Sequence, residues 1–239
     1  MGRAPALIAI LAFAACGEDV SNGDAGVDDA HPGAIDADLV NFSFTGTFLD
    51  WDSTTTAPCP IVGAKWYATY DDSRVAITDA DGAFSIRLAS YTPLLDVVPP
   101  ANASGCANGS YPQHGIAIAP PAVVAAGGAF QARSMTTARL STFFASIGTP
   151  FDPARGHLLV HVNGVPRSLS ITGNHGLPQT FDGAVWTAGD AGRDVFFPNI
   201  EITGTTPMTT VAVTGGNALG LGAVPIAAGA FTYMAVVLN

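Results

Sequence analysis

Beyond residue 39 the sequence is cut into short apolar or alternating runs, each closed by Gly, Pro, Asn or Asp, and this rhythm restricts the fold more than any other feature. On an extended backbone successive side chains point to opposite faces, so short runs with period-two alternation are strands. The 27 Gly and 17 Pro of the 239 residues suit turns and interrupt helices. Strands are expected at 40–51, 64–70, 74–78, 83–88, 94–98 and 116–119. A second series is expected at 157–162, 168–172, 184–187, 194–200, 209–214 and 230–238. Six or so short strands per hundred residues is the density of a β-sandwich.

A single helix interrupts the strands. Leu140, Phe143, Phe144 and Ile147 fall at i, i+3, i+4 and i+7, which makes one apolar stripe. Ser134, Thr136 or Thr137 can cap its start, Gly148 can end it, and Pro150 stops any continuation. A helix this short is unstable alone, so its stripe is expected to pack across the seam between two sandwiches. The expected architecture is all-β: two small Greek-key-type sandwiches, 39–133 and 150–239, joined by a helix within 134–149.

Residues 1–38 read as an address and a tether. Arg3 precedes an unbroken apolar run, Ala6 to Ala15, which is shorter than the roughly 20 residues a membrane-spanning helix needs. Residues 1–15 therefore read as a signal peptide. The run ends at Phe13-Ala14-Ala15-Cys16-Gly17, which resembles the lipobox of bacterial lipoproteins, although Phe13 stands where Leu is usual. That resemblance implies lipidation of Cys16 and attachment to a membrane through acyl chains. Gly17 and Glu18 after the cysteine resemble sorting signals for the outer membrane, with secretion the alternative. Seven acids and no Lys or Arg occupy 17–38, too polar a stretch to bury a core, so 16–38 reads as a lipidated Cys followed by a disordered linker.

Charge narrows the partners. The chain has 9 Lys+Arg and 19 Asp+Glu, a net charge of −10, with the cations scattered. Such a surface repels phosphate backbones, which excludes a nucleic-acid binder. The partners expected are the membrane and an envelope protein or glycan.

One stretch carries a family resemblance. Gly63-Ala64-Lys65-Trp66, followed by Val75-Ala76-Ile77-Thr78-Asp79-Ala80-Asp81-Gly82-Ala83-Phe84-Ser85-Ile86, resembles the carboxypeptidase regulatory-like domain. Its physical reading is a strand, a tight Asp/Gly hairpin and a returning strand with Phe84 and Ile86 on one side. Residues 150–239 resemble the same fold more weakly, through Phe151–Val160 and Phe196-Phe197-Pro198-Asn199-Ile200. The resemblance implies a prealbumin-like (transthyretin-like) sandwich, an accessory non-catalytic role, and no catalytic residues or cofactor.

Candidate chemistry is sparse. Cys59 and Cys106 are the cysteines left once Cys16 is lipidated, and two cysteines of an exported domain most often pair. Loop-closure entropy would make that bridge worth about 4 kcal/mol at most. The competing reading is a Cys nucleophile with His114, which would need a lowered thiol pKa. His157 and His161 have i, i+4 spacing, but their neighbours Gly156, Leu158, Leu159, Val160 and Val162 read as a strand. On a strand four residues span about 13 Å, too far for one metal ion, so both are expected on the outer face. His175 is a further weak metal ligand. Gly215–Gly222 mimics a nucleotide loop but has the wrong glycine order and no helix after it, so turns explain it. No G-x-S-x-G elbow is present, and Asp71-Asp72 and Asp79/Asp81 sit where turns favour Asp. Trp51, Trp66, Tyr70 and Trp186 could form a platform for sugar rings, with Trp66 more naturally a core residue. The sequence thus points to a binding or scaffold module, with carbohydrate binding and a metal-dependent hydrolase as alternatives.

Overall fold

The computed structural model describes residues 42–89, 94–100, 109–111, 115–118 and 120–239. The signal peptide at 1–15, Cys16 with the linker at 16–38, and Cys106 and His114 lie outside the described residues. The fold is all-β and sandwich-like, with two helices among the described residues.

The central sheet takes strands from both ends of the sequence. Its contributors from the first half are β2 (Lys65–Ala68), β3 (Asp71–Ile77), β5 (Leu94–Val98) and β6 (Gly115–Ile118). From the second half come β8 (Gly156–Gly164), β10 (Gln179–Phe181), β11 (Trp186–Ala188), β12 (Asp194–Ile200) and β16 (Phe231–Leu238). They lie in the order β11-β10-β12-β8-β16-β6-β5-β2-β3, and β14 (Ala218–Leu219) pairs with the end of β16. Two three-stranded sheets accompany it. One is β4-β1-β7, from β1 (Phe42–Asp50), β4 (Ala83–Leu88) and β7 (Phe130–Ser134). The other is β15-β13-β9, from β9 (Leu169–Ile171), β13 (Met208–Val213) and β15 (Gly222–Pro225).

Alternation along the central strands sends side chains into two cores. Phe196, Leu159, Phe231 and Tyr233 join Trp66 and Val97 against Phe44, Phe48 and Phe130 of the β4-β1-β7 sheet. Their neighbours Val195, Phe197, Val160, Met234 and Val236 join Leu169, Val211 and Val224 of the β15-β13-β9 sheet. Strands β8, β12 and β16 are therefore covered on both faces, which is why their sequences are nearly continuous apolar runs.

Helix α2 (Thr137–Ser146) forms where the stripe predicts it. Thr136 is its N-cap, accepting the Arg139 N–H at 3.3 Å, and Gly148 follows its end with φ +67°. Leu140, Phe143 and Phe144 are buried, and Phe143 meets Trp51 edge-on at 5.0 Å. A shorter helix, α1 (Pro121–Ala125), begins with proline at its first turn and buries Val123.

Two expectations change. Residues 39–239 form one compact unit, and the boundary expected at 134–149 is crossed by backbone pairing. Strand β16 runs parallel to β6 through Phe231↔Gly115 to Met234↔Ile118, and parallel to β8 along its other edge. The Asp/Gly turn is also not a hairpin between paired strands. Gly82 has φ +71° and donates to the Asp79 carbonyl at 3.0 Å, so the turn is tight. However, β3 then stays with β2 in the central sheet, while β4 crosses to pair with β1. A Cβ on Gly82 would lie 2.5 Å from the Phe48 carbonyl oxygen, so close approach to β1 as well as the turn requires glycine there.

Candidate functional site

The four aromatic residues separate by burial. Trp66 is fully buried and stacks on Phe84 at 4.0 Å. Tyr70 is half-buried, its hydroxyl accepting the Ala89 N–H at 3.1 Å. Trp51, in the turn after β1, is also fully buried, and Trp186 at the start of β11 stacks on it at 4.1 Å with an interplanar angle of 5°. The Trp186 indole N–H donates to the Trp51 carbonyl at 3.0 Å, which fixes the ring. Trp186 lines an open concavity of about 620 Å³ between α2 and the β10–β11 hairpin.

The rest of that pocket is mixed. Leu177 and Val185 are exposed apolar rims, each 56% accessible, and Gln179 lines it as well. On the α2 side Arg139 grips Asp52 in a fork, Nε to Oδ2 at 2.6 Å and Nη2 to Oδ1 at 3.0 Å. Arg139 also lies over the Phe143 ring at 5.5 Å. An indole beside a fixed guanidinium–carboxylate pair offers an apolar surface next to directed donors and acceptors. Pyranose rings, with C–H faces and hydroxyl rims, present the complementary pattern.

The histidines lie apart from this pocket and from one another. The strand reading of 157–162 holds, but the outer-face reading does not: His157 is 0% and His161 7% exposed, because β8 is an inner strand. His157 accepts the Asn199 N–H at Nδ1 (3.1 Å) and stacks on Phe151 at 5.0 Å. Burial in that aromatic box pushes its pKa down to about 3, against a smaller opposing effect of Asp152. His161 Nδ1 is bonded to Asp194 Oδ1 at 2.6 Å. His175 contacts the Gly176 carbonyl at 2.7 Å and the edge of Phe197. Among the described residues no three His, Cys, Asp or Glu side chains gather as a metal site. Asp71 accepts from Ser73 and Arg74, which holds its carboxyl below the usual range, and Asp79 accepts the Asp81 and Ala83 N–H groups. Cys59 is buried, its N–H donating to Ser53 Oγ at 2.8 Å.

Sequence reading missed a buried charged cluster. Asp194, fully buried at the head of β12, accepts from Arg133 Nε at 2.8 Å as well as bonding His161. Arg133 is 3% exposed, donates to the Ser53 carbonyl at 2.7 Å, and lies over the Phe181 ring at 4.3 Å. Nearby, the Tyr111 hydroxyl donates to Asp50 Oδ2 at 2.8 Å, and burial together with the Asp50 charge pushes its pKa up. The available signal was a charge at the head of an apolar run, Asp194 before Val195-Phe196-Phe197, whereas Arg133 stands among Gln131, Ala132 and Ser134, where nothing marks it. No protein-family model, curated protein or solved structure matches the chain.

Proposed function

We propose that the protein is a non-catalytic binding module of the cell envelope, tethered through Cys16 and an acidic linker, that holds carbohydrate in the pocket between α2 and the β10–β11 hairpin. The observation that carries this reading is Trp186, stacked on Trp51 and bordered by the Arg139–Asp52 fork on an open surface. Calorimetric titration of oligosaccharides, chosen by a glycan array, against the 39–239 body tests it. Saturable binding should weaken at least tenfold in Trp186→Phe, which shrinks the platform, and in Asp52→Asn, which breaks the fork. Silence across the array, or equal affinity in both variants, overturns it.

The tether belongs to the same reading. A body with no spanning helix among its described residues needs another attachment if it is to stay at a membrane, and several acyl chains on one cysteine hold far more firmly than one. Wild type should partition with membranes, whereas Cys16→Ser should remain uncleaved. Identical processing and soluble fractionation of both would rule out lipidation. The pairing of Cys59 with Cys106 goes with export, and native exported protein should then give no free-thiol signal from either residue. Stoichiometric zinc in purified protein, lost on His161→Ala, would favour the hydrolase alternative instead.

A further inference from the structure

The wall of the aromatic pocket carries a polar group that the sequence did not single out. Gln179, the first residue of β10, is 4% exposed and lines the pocket. The strand register fixes the face it takes. Gln179 lies opposite Phe196 of β12, and Phe196 packs edge-on against Phe143 of α2 at 5.8 Å. Two residues further along β10, on the same face, Phe181 lies opposite Trp186 of β11. Gln179 and the Trp186 indole therefore look onto the same cavity, two residues or about 7 Å apart along the hairpin. Across the hairpin from Gln179 stands Ala188, a methyl group only, which also lines the cavity.

One end of the Gln179 amide is committed and the other is not. Nε2 donates to the Leu177 carbonyl at 3.2 Å. That bond fixes which end is nitrogen, because the reversed amide would set two oxygens together. Oε1 makes no hydrogen bond among the described residues and, unlike Trp51 Nε1 or His157 Nε2, is not sealed from solvent. A nearly buried acceptor held on a cavity wall, with no donor of the protein's own, calls for a donor on the ligand. Arg139 supplies the opposite group. Its Nε and Nη2 hold Asp52, whereas Nη1 makes no hydrogen bond among the described residues. Two residues before Gln179, Leu177 adds an exposed apolar side chain to the same wall.

We propose that the pocket selects an acetamido sugar, with its pyranose ring on Trp186 and its acetamido group among Gln179, Arg139 and Leu177. This rests on the carbohydrate reading and names the class of sugar. The amide N–H donates to Gln179 Oε1, its carbonyl accepts from Arg139 Nη1, and its methyl lies against Leu177. A plain hydroxyl at the same ring position brings a donor but neither the carbonyl at that reach nor the methyl. The two groups also depend on Oε1 to different degrees. A hydroxyl rotates its proton to another acceptor, whereas an amide N–H points one way and is left unpaired if Oε1 is removed. The acetamido group carries no charge, so the acidic chain does not repel it.

Calorimetric titration of the 39–239 body with three trimers of one linkage, built from N-acetylglucosamine, glucose and glucosamine, tests the assignment. The acetylated trimer should bind at least tenfold more tightly than either of the others. Gln179→Met keeps the length of the side chain and removes the acceptor. It should weaken the acetylated trimer about tenfold and the glucose trimer by less. Trp186→Phe should weaken both alike, since the ring contact is common to them. Circular dichroism checks that Gln179→Met is folded, and the comparison of trimers on wild type needs no variant. Equal affinity for the acetylated and glucose trimers, or tighter binding of the glucosamine trimer, overturns the acetamido assignment and leaves the carbohydrate reading standing. A preference unchanged in folded Gln179→Met overturns the role of Gln179. Binding of another glycan but none of the trimers overturns the sugar class alone, and silence across the whole glycan array removes both readings.

Discussion

At the scale of single residues, the interior holds polar groups whose charge states are set by burial. His157 is kept neutral among Phe144, Phe151, Phe196 and Phe231, and its pKa is lowered to about 3. The unfolded chain binds a proton near pH 6.5 that the folded chain refuses until about pH 3. Its contribution to stability is therefore full above pH 6.5 and is lost as the pH falls from there towards 3, at about 1.4 kcal/mol per unit. His157→Phe removes that proton sink. Urea unfolding between pH 7 and 4.5 should show a shallower loss of stability in His157→Phe than in wild type, and parallel pH curves would contradict this. The buried pair gives a second contrast. Asp194→Asn leaves the Arg133 charge buried without its partner and should cost about 3–5 kcal/mol, whereas Arg139→Gln, in a partly exposed pair with Asp52, should cost about 1 kcal/mol or less. Equal midpoint shifts in urea would show that burial does not separate them. Asp194 could be noticed in the sequence as a charge at the head of an apolar strand, but its partners could not, because Arg133 and His161 reach it only through tertiary packing.

At the scale of elements, α2 was the most legible feature and the pairing of strands the least. The spacing of Leu140, Phe143, Phe144 and Ile147, with Thr136 before and Gly148 after, is a local code that the helix obeys. It follows that Thr136→Ala should cost about 1 kcal/mol through the lost cap. Phe143→Ala should cost about 3–5 kcal/mol, since its ring fills the space between Trp51, Phe144 and Phe196. Thermal melts of the two variants should rank them in that order, and a cap variant as damaging as the core variant would reverse the reading of what holds α2. Strands β4, β5 and β12 were bounded correctly because alternation or a turn marks both ends. Strands β7, β10, β14 and β15 were missed: β10 and β14 have only three and two residues, and β7 carries Gln131 and Arg133 on positions whose burial depends on partners elsewhere. The outer-face reading of His157 and His161 failed for a related reason. Alternation distinguishes the two faces of a strand but does not reveal that a further layer covers both.

At the scale of the whole molecule, the last strand decides the architecture. β16 takes β8 on one edge and β6 on the other, so the C-terminal residues close a sheet that begins near residue 65. Two sequence halves with similar strand rhythms invite a reading as two sandwiches, since rhythm is local while strand order is not. The shared sheet implies that neither half has a complete core. The first half lacks Tyr233, which packs with Phe48 and Trp66, and Phe231, which meets Trp51, and the second lacks Trp51 and Phe143 beneath Phe196. Unfolding of 39–239 should therefore be a single cooperative transition, coincident by tryptophan fluorescence and far-ultraviolet circular dichroism. Segments 39–133 and 150–239 made separately should lack that transition, and a chain ending at residue 229, which loses both partnerships of β16, should be unfolded at 25 °C. Two separated transitions in the intact body, or a folded 39–133 segment, would restore the two-domain reading. One transition would mean that the aromatic pocket, one wall of which is the β10–β11 hairpin at the edge of the central sheet, is lost together with that sheet.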